Sequence, residues 1–325
     1  MRRGARAAIA AMAVCALTAL SACGGSSDEG GGGGKGGETR TITGTFTGDV
    51  SGVPKNPKRI VALWRTGTEL AELGVVPVAT LKGEFLSDEL APEVYAKVKD
   101  VPTVGGFDGV NVEEVIKAKP DLIVGMDNGG LSIDYKELQE IAPTVIFKIA
   151  EPPDVWTNYP KLADVLGRTT DYAQRNAALD KDLAAIKTEH AAQIGGLKAV
   201  SVGVFGGKTF VDTSKSLTYR RLTAAGFGYM DAYATNPARY RVELPSEKLS
   251  DLSGADVIFY DATIAGKPSP GTDKLLDMAS FKRLPAARAG NVFPLTMGTV
   301  YTFDAAGRAV ADMRKAAGSL KDVGR

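Results

Sequence analysis

Two cysteines and one histidine set the metal and nucleophile chemistry open to this 325-residue chain. Cys15 and Cys23 both fall near the N-terminus and His190 stands alone, so a zinc or haem-ligating cluster has no support. A Ser-His-Asp set would need His190 in a cleft, and its place on a helical stretch opposes that. "VGVFGGKTF" (202–210) resembles a phosphate loop, but the glycine required at position 202 is Val. "VGGFDGVN" (104–111) lacks the spacing of a dinucleotide fingerprint. What remains is a pair of carboxylates in matched places. "NVEEVIKAKPDLIVGMD" (111–127) and "PSEKLSDLSGADVIFYD" (245–261) have equal length. Each reads as an early Glu in a short helix, a breaker, an Asp and an apolar strand, so Glu113 and Glu247 correspond. Any αβ unit gives similar spacing, and the echo alone does not establish duplication.

The elements that position these residues begin after a leader. Arg2, Arg3 and Arg6 precede an almost wholly apolar run from Ala7 to Leu20, the pattern of an export signal and too short for a permanent membrane span. Its end, Leu20-Ser21-Ala22-Cys23, resembles the lipobox of bacterial lipoproteins, which implies cleavage before Cys23 and acylation of it. Cys15 is lost with the leader, leaving Cys23 alone and no disulfide. Residues 24–37 read as a Gly/Ser tether of about 20 Å root-mean-square reach. Three of the 39 basic residues sit in the leader; without them the balance is 36 basic against 38 acidic. No concentrated basic face points to nucleic acid.

From Arg59 the chain alternates apolar runs with capped helical patterns. "RIVAL" (59–63), "VPVAT" (76–80), "DLIVG" (121–125) and "TVIFK" (144–148) read as strands. Between them come helices opened by Thr66 or Thr68, by Asn111 with Glu114 at capping-box spacing, and by Asp134. The second half restarts with "AVSVGVF" (199–205), a helix over 216–226, "DVIFYD" (256–261) and "NVFPL" (291–295). Between the halves, Leu179, Leu183 and Ile186 lie on one helical face. One long helix joining two α/β lobes with mainly parallel sheets is the simplest reading.

Lipobox, tether, "PKNPKRIVALWRTGTELAELGVVPVA" (54–79), "NVEEVIKAKPDLIVG" (111–125) and the middle helix together resemble the helical-backbone, class III periplasmic-type substrate-binding proteins. Within that class the resemblance is to ferric-siderophore binding lipoproteins of ABC importers. It implies two Rossmann-like lobes joined by one long rigid helix, with a ligand cleft between them. The expected divisions are a signal at 1–22, acylated Cys23 and tether to 40, an N-terminal lobe at 41–158, a connecting helical segment at 159–196 and a C-terminal lobe at 197–325. Glu113 and Glu247 would dock onto arginines of the permease; a solvated charge at a helix N-terminus is the plainer reading of each.

A ferric siderophore is bulky, partly apolar and rich in oxygens, so the cleft should supply aromatic walls with Arg, Lys or Tyr donors. The candidates are Trp64 and Arg65 after "RIVAL", then Lys82, Phe85, Phe107, Met126 and Asn128 in later loops. From the second half come Arg239, Tyr240, Arg241, Tyr260 and Tyr301. Core packing for Trp64 and a surface ion-pair patch for Arg239–Arg241 stay open. The implied function is a monomeric, lipid-anchored receptor on the extracytoplasmic face of the membrane. It would capture a ferric siderophore, the hydroxamate type favoured, for an ABC permease, with no cofactor and no directly ligated metal. Cobalamin or haem in the same fold, a solute-sensing receptor that does not transport, and a lipid-anchored envelope enzyme are the alternatives.

Overall fold

Aliphatic runs separated by capped helices build two sheets, one from each half of the chain. The computed structural model describes residues 37–64, 66–87, 90–296 and 301–323, all within the unit Gly37–Arg325. The proposed leader, Cys23, most of the tether and Arg65 lie outside the described residues.

A hairpin of β1 (Thr39–Thr45) and β2 (Gly48–Pro54) comes first, followed by β3 (Ile60–Ala62), α1 (Gly67–Glu72), β4 (Ala79–Thr80) and α2 (Pro92–Val98). Next are the short β5 (Gly105–Gly106) and β6 (Gly109–Val110), α3 (Val112–Ala118), β7 (Leu122–Asp127), α4 (Tyr135–Gln139) and β8 (Thr144–Lys148). Strands β4, β3, β7 and β8 lie side by side in that order, all parallel. Every residue of β3 and β7 is buried, as expected of parallel strands covered on both faces. Local chemistry sets the helix ends. The Asn111 side chain accepts from the Glu114 amide at 3.2 Å, and α3 ends at Lys119, left-handed at φ 47°. Pro120 follows, and a residue before proline avoids the right-handed helical region. Asp134 caps α4 through the amides of Lys136 and Glu137.

The connecting segment contains one long helix with a shorter one on either side. It comprises α5 (Asp154–Val165), α6 (Thr169–Glu189) and α7 (Ala191–Ile194). A turn at Gly167, with φ +67°, separates the first two. The rod is α6, 21 residues, hence about 32 Å long. It buries Leu179, Leu183 and Ile186 and packs against α5, α8 and α13.

The second half contributes β9 (Lys198–Phe205), β10 (Lys208–Asp212), α8 (Leu217–Ala224), β11 (Gly228–Tyr229), α9 (Asp231–Ala234) and β12 (Arg241–Glu243). A 3-10 helix (Ser246–Gly254), β13 (Val257–Ala262), α10 (Thr272–Asp277), α11 (Ala279–Lys282), α12 (Pro285–Ala289), β14 (Val292–Thr296) and α13 (Phe303–Ala317) complete it. Strand order is β12-β10-β9-β13-β14, with β11 beside the start of β9. Here β9, β13 and β14 are parallel, while β10 folds back antiparallel on β9. The fold-back is a two-residue turn at Gly206 and Gly207, φ +57° and +77°, a geometry glycine adopts without strain. The segment resembling a phosphate loop is this hairpin.

One hydrophobic core runs through both sheets and the connecting helices. At its centre the Phe303 ring meets Trp156 at 4.9 Å, Tyr159 at 5.2 Å and Tyr172 at 5.5 Å between centroids. Beside them the buried Glu72, at the end of α1, accepts from the amides of Phe303 and Asp304 at 2.7 Å each. It also accepts from the Tyr159 hydroxyl at 3.1 Å. A carboxylate of one half thus caps the N-terminus of α13 in the other, where the helix dipole favours negative charge. Burial raises the Glu72 carboxyl above its ordinary range, and the two amides and the hydroxyl pull against that shift. Replacing Glu72 with Ala orphans both amides, and is expected to cost roughly 3–5 kcal/mol of unfolding free energy, read by urea denaturation. A loss below about 1 kcal/mol would show that α13 docks without it.

Candidate functional site

Four of the residues singled out in the first half gather where strands β3 and β4 end. Trp64 follows β3, and its carbonyl accepts from the Met126 amide at 3.0 Å. Its ring meets Phe107 edge-on, centroids 6.4 Å apart, and Phe107 is 44% exposed on the β5–β6 turn. Lys82 is exposed, with its amide bonded to the Gly105 carbonyl at 2.8 Å. The loop carrying Phe85 is held by Glu84, whose Oε1 accepts from the Gly67 amide at 3.0 Å. Glycine is required at 67, because a Cβ there would lie 2.7 Å from Glu84 and 3.2 Å from the Phe85 ring. Trp64 and Phe107 are in contact, and the loop carrying Lys82 and Phe85 passes beside Phe107 at Gly83, which makes the four residues one candidate rim.

Met126 does not join it. It is fully buried in the core, because β7 continues two residues beyond the segment read as strand. Asn128 is exposed just after β7, its Oδ1 accepting from the Gly130 amide at 2.9 Å. Between them Asp127 is buried and accepts from the Gly129 amide and the Tyr135 hydroxyl at 2.7 Å each. Burial and that bond push the Tyr135 hydroxyl up.

The second half meets the first at Glu151, just after β8. Its Oε2 accepts from the Tyr240 amide at 3.1 Å, and Oε1 lies 3.5 Å from the Arg239 Nε. Arg239 is largely exposed and Tyr240 half-buried. Arg241, expected among the ligand donors, is engaged internally. Its Nε bonds Asp212 at 2.6 Å and its Nη2 bonds Asp261 at 2.8 Å. The two carboxylates hold the Arg241 charge in place, against burial. Asp261 sits over Gly203, where a Cβ would come 2.3 Å from Oδ2. Burial raises the Asp261 carboxyl to about 6; Arg241 opposes the shift and Asp212 adds to it. Tyr260 is half-buried on β13, its hydroxyl pushed up by burial and by Asp312. Tyr301 is 8% exposed and sits beside Thr302, which caps α13 by accepting from the Ala305 amide.

Glu113 and Glu247 are both exposed in the first turn of a helix. Each helix precedes the strand lying beside the first strand of its sheet, β7 beside β3 and β13 beside β9. The sequence echo is thus a correspondence of position.

Arg221, not among the candidates from the sequence, is chemically conspicuous. It lies on the buried face of α8 with Leu217 and Leu222. Its guanidinium sits 5.0 Å from the centroid of the Trp156 ring, while Nη1 and Nη2 are enclosed without a hydrogen-bond partner. Burial lowers it to about 10, and Tyr301 and Glu72 oppose that shift. The signal was legible: an arginine four residues after Leu217 on an otherwise apolar face.

The raised Asp261 makes stability pH-dependent with a definite sign. Its contribution is complete below the ordinary value of 3.8 and is lost as pH climbs through about 6. Asp261→Asn removes that loss, so its melting temperature should gain on the wild type between pH 4.5 and 7 in thermal melts. A gap constant with pH would contradict this assignment.

Among known proteins, the sequence matches the family described as periplasmic binding protein over residues 60–297. It is 28% identical over 270 residues to the probable siderophore-binding lipoprotein YfiY of Bacillus subtilis (strain 168), covering 78% of this chain and 79% of that one. It is 30% identical over 264 residues to the iron(3+)-hydroxamate-binding protein YxeB of the same organism, covering 78% and 77%. The fold superposes with TM-score 0.70 on the siderophore periplasmic binding protein from the fuscachelin gene cluster of Thermobifida fusca, at 24% identity, covering 82% of this chain and 99% of that one. For Staphylococcus aureus SirA complexed with staphyloferrin B the TM-score is 0.67 at 21% identity, covering 86% and 99%.

Proposed function

The chain belongs to the periplasmic binding protein family, and we propose that it is the extracytoplasmic receptor of an ABC importer, capturing a ferric siderophore between its two lobes. The observation that carries this reading is the rim of Trp64, Phe85, Phe107 and Lys82 at the strand ends of one lobe. The Arg239–Tyr240 loop of the other lobe adjoins that lobe through Glu151. Aromatic faces take the apolar periphery of a chelate, and Lys82, Arg239 and the phenols offer donors to its oxygens. Such a site holds its cargo without making or breaking a bond. The chelate fills the coordination sphere of its own iron, so the receptor supplies none of the ligands.

Charge favours a hydroxamate-type cargo. Arg241 is balanced by Asp212 and Asp261, and Arg239 by Glu151. A triply anionic catecholate complex would call for more uncompensated cations, whereas an iron trihydroxamate core is neutral. The relatives named as siderophore-binding and hydroxamate-binding proteins support the same choice. Cleavage before Cys23 and its acylation would anchor the receptor outside the cytoplasm, with the glycine tether keeping it near its permease at high effective concentration. Exposed Glu113 and Glu247 would then meet permease arginines in charge-assisted pairs.

Two measurements test this reading. Titrating the fragment from residue 38 with ferrioxamine B, a ferric catecholate and a corrinoid should quench tryptophan fluorescence strongly with the first. Trp64→Ala combined with Tyr301→Ala should weaken that binding at least tenfold. Equal or better binding of the corrinoid would move the cargo to cobalamin, and undiminished binding in the double variant would misplace the cleft. In cells, Glu113→Ala with Glu247→Ala should abolish iron uptake while the purified variant binds its chelate normally; preserved uptake would remove both residues from docking.

A further inference from the structure

Arg221 is a buried arginine whose Nη1 and Nη2 have no hydrogen-bond partner. It is 4% exposed, and burying an ionised side chain without a partner is among the most costly arrangements a core can hold. Glu72 acts on it electrostatically, but both its oxygens are engaged by the Phe303 and Asp304 amides, and one also by the Tyr159 hydroxyl. Trp156 provides a ring face and Tyr301 a favourable electrostatic influence, yet Nη1 and Nη2 remain without acceptors.

The placement says where an acceptor would come from. Helical side chains lean toward the helix N-terminus. The N-terminus of α8 is tied to the loop that touches the other lobe: Thr213 donates its amide to the Tyr240 carbonyl, and Lys215 Nζ reaches the Ala238 carbonyl, each at 2.9 Å. Tyr240 in turn donates its amide to Glu151 across the junction. Trp156, whose ring the guanidinium faces, lies on α5, the first helix after the N-terminal sheet. The guanidinium therefore points into the junction where the two lobes would close on a ligand.

We propose that Arg221 is a ligand-contacting, specificity-determining residue: when the lobes take up their cargo, the half-buried Trp156 ring shifts and Nη1 and Nη2 donate to anionic oxygens of the chelate. This deepens the siderophore reading and rests on it for the identity of the cargo. One buried cation fits a chelate that turns electron-rich oxygens toward it. Those oxygens belong either to a pendant carboxylate, which carries a full charge, or to the metal-bound hydroxamates, which carry partial negative charge within a core that is neutral overall.

The test compares wild type with Arg221→Met and Arg221→Lys, using ferrioxamine B, its terminally succinylated derivative, which carries a carboxylate, and a ferric catecholate. Arg221→Met should bind the preferred hydroxamate roughly tenfold or more weakly, with Arg221→Lys intermediate. Its ligand-free melting temperature should equal or exceed that of wild type, because an unpaired buried charge has been removed. A larger loss for the succinylated probe assigns the contact to a carboxylate; equal losses assign it to the chelate oxygens. Wild-type affinity in Arg221→Met overturns the proposal, and so does a melting temperature several degrees lower, which would make Arg221 a structural brace on Trp156. If wild type binds none of the three chelates, a citrate-induced thermal shift decides. A shift seen in wild type and lost in Arg221→Met keeps Arg221 as an anion contact and refutes the siderophore cargo. No difference between them overturns Arg221.

Discussion

The contact between Glu72 and the start of α13 constrains everything else in this protein. It joins the last turn of the first helix to the N-terminus of the last long helix, and Tyr159 and Phe303 close around it. Separating the halves there would deprive a carboxylate and two amides of their partners. Both sheets share that core, and α6 packs on elements of each half. Relative motion of the halves would have to be accommodated around that contact. A protein so braced suits a cargo that arrives preformed, because a folded chelate needs little wrapping.

The electrostatics follow from the same frame. Near the junction the described guanidinium groups of Arg239 and Arg241 are matched by Glu151, Asp212 and Asp261. Matching fixes loop geometry as much as charge. The Glu151 bonds hold the Tyr240 loop against the other half, and the Arg241 pairs tie the edge strand β12 to β10 and β13. The Arg241 pairs are then structural, and recognition falls to the aromatic rim, Lys82, the exposed Arg239 and the few donors left over. Arg221 differs in kind, since its neighbours are a ring face and helix-side apolar groups.

Much of this was legible in the sequence, for local reasons. Asn111 and Asp134 announce helix starts because their side chains satisfy amides the helix cannot. The strands β3, β7 and β13 show as unbroken apolar runs because parallel strands are buried on both faces. Trp64, Lys82, Phe85 and Phe107 stand out in the sequence because loops at strand carboxyl ends carry sites in α/β folds. The errors arose where tertiary contacts decide. Met126 was read as a loop residue because Gly125 looks like a strand end, but Leu63 and Ile146 pack against the face of Gly125 and the strand runs on to Asp127. Arg241 looked like a donor because no sequence pattern reveals that Asp212 and Asp261 converge on it from two other strands.

The paired carboxylates pose the last mechanical question. Glu113 and Glu247 are each exposed in the first turn of a short helix, and the sheets are braced through Glu72 and Phe303. A brace of that kind would keep their separation nearly the same with and without cargo. A partner that engages both carboxylates gains orientation from them in loaded and empty receptors alike. Discrimination between the two states must then come from elements that cargo can move, and the Trp156 ring over Arg221 and the Tyr240 loop at Glu151 are the described groups placed to do so. Docking and recognition would in this way be assigned to separate parts of one frame: rigid helix tips outside, and a small set of side chains at the junction within.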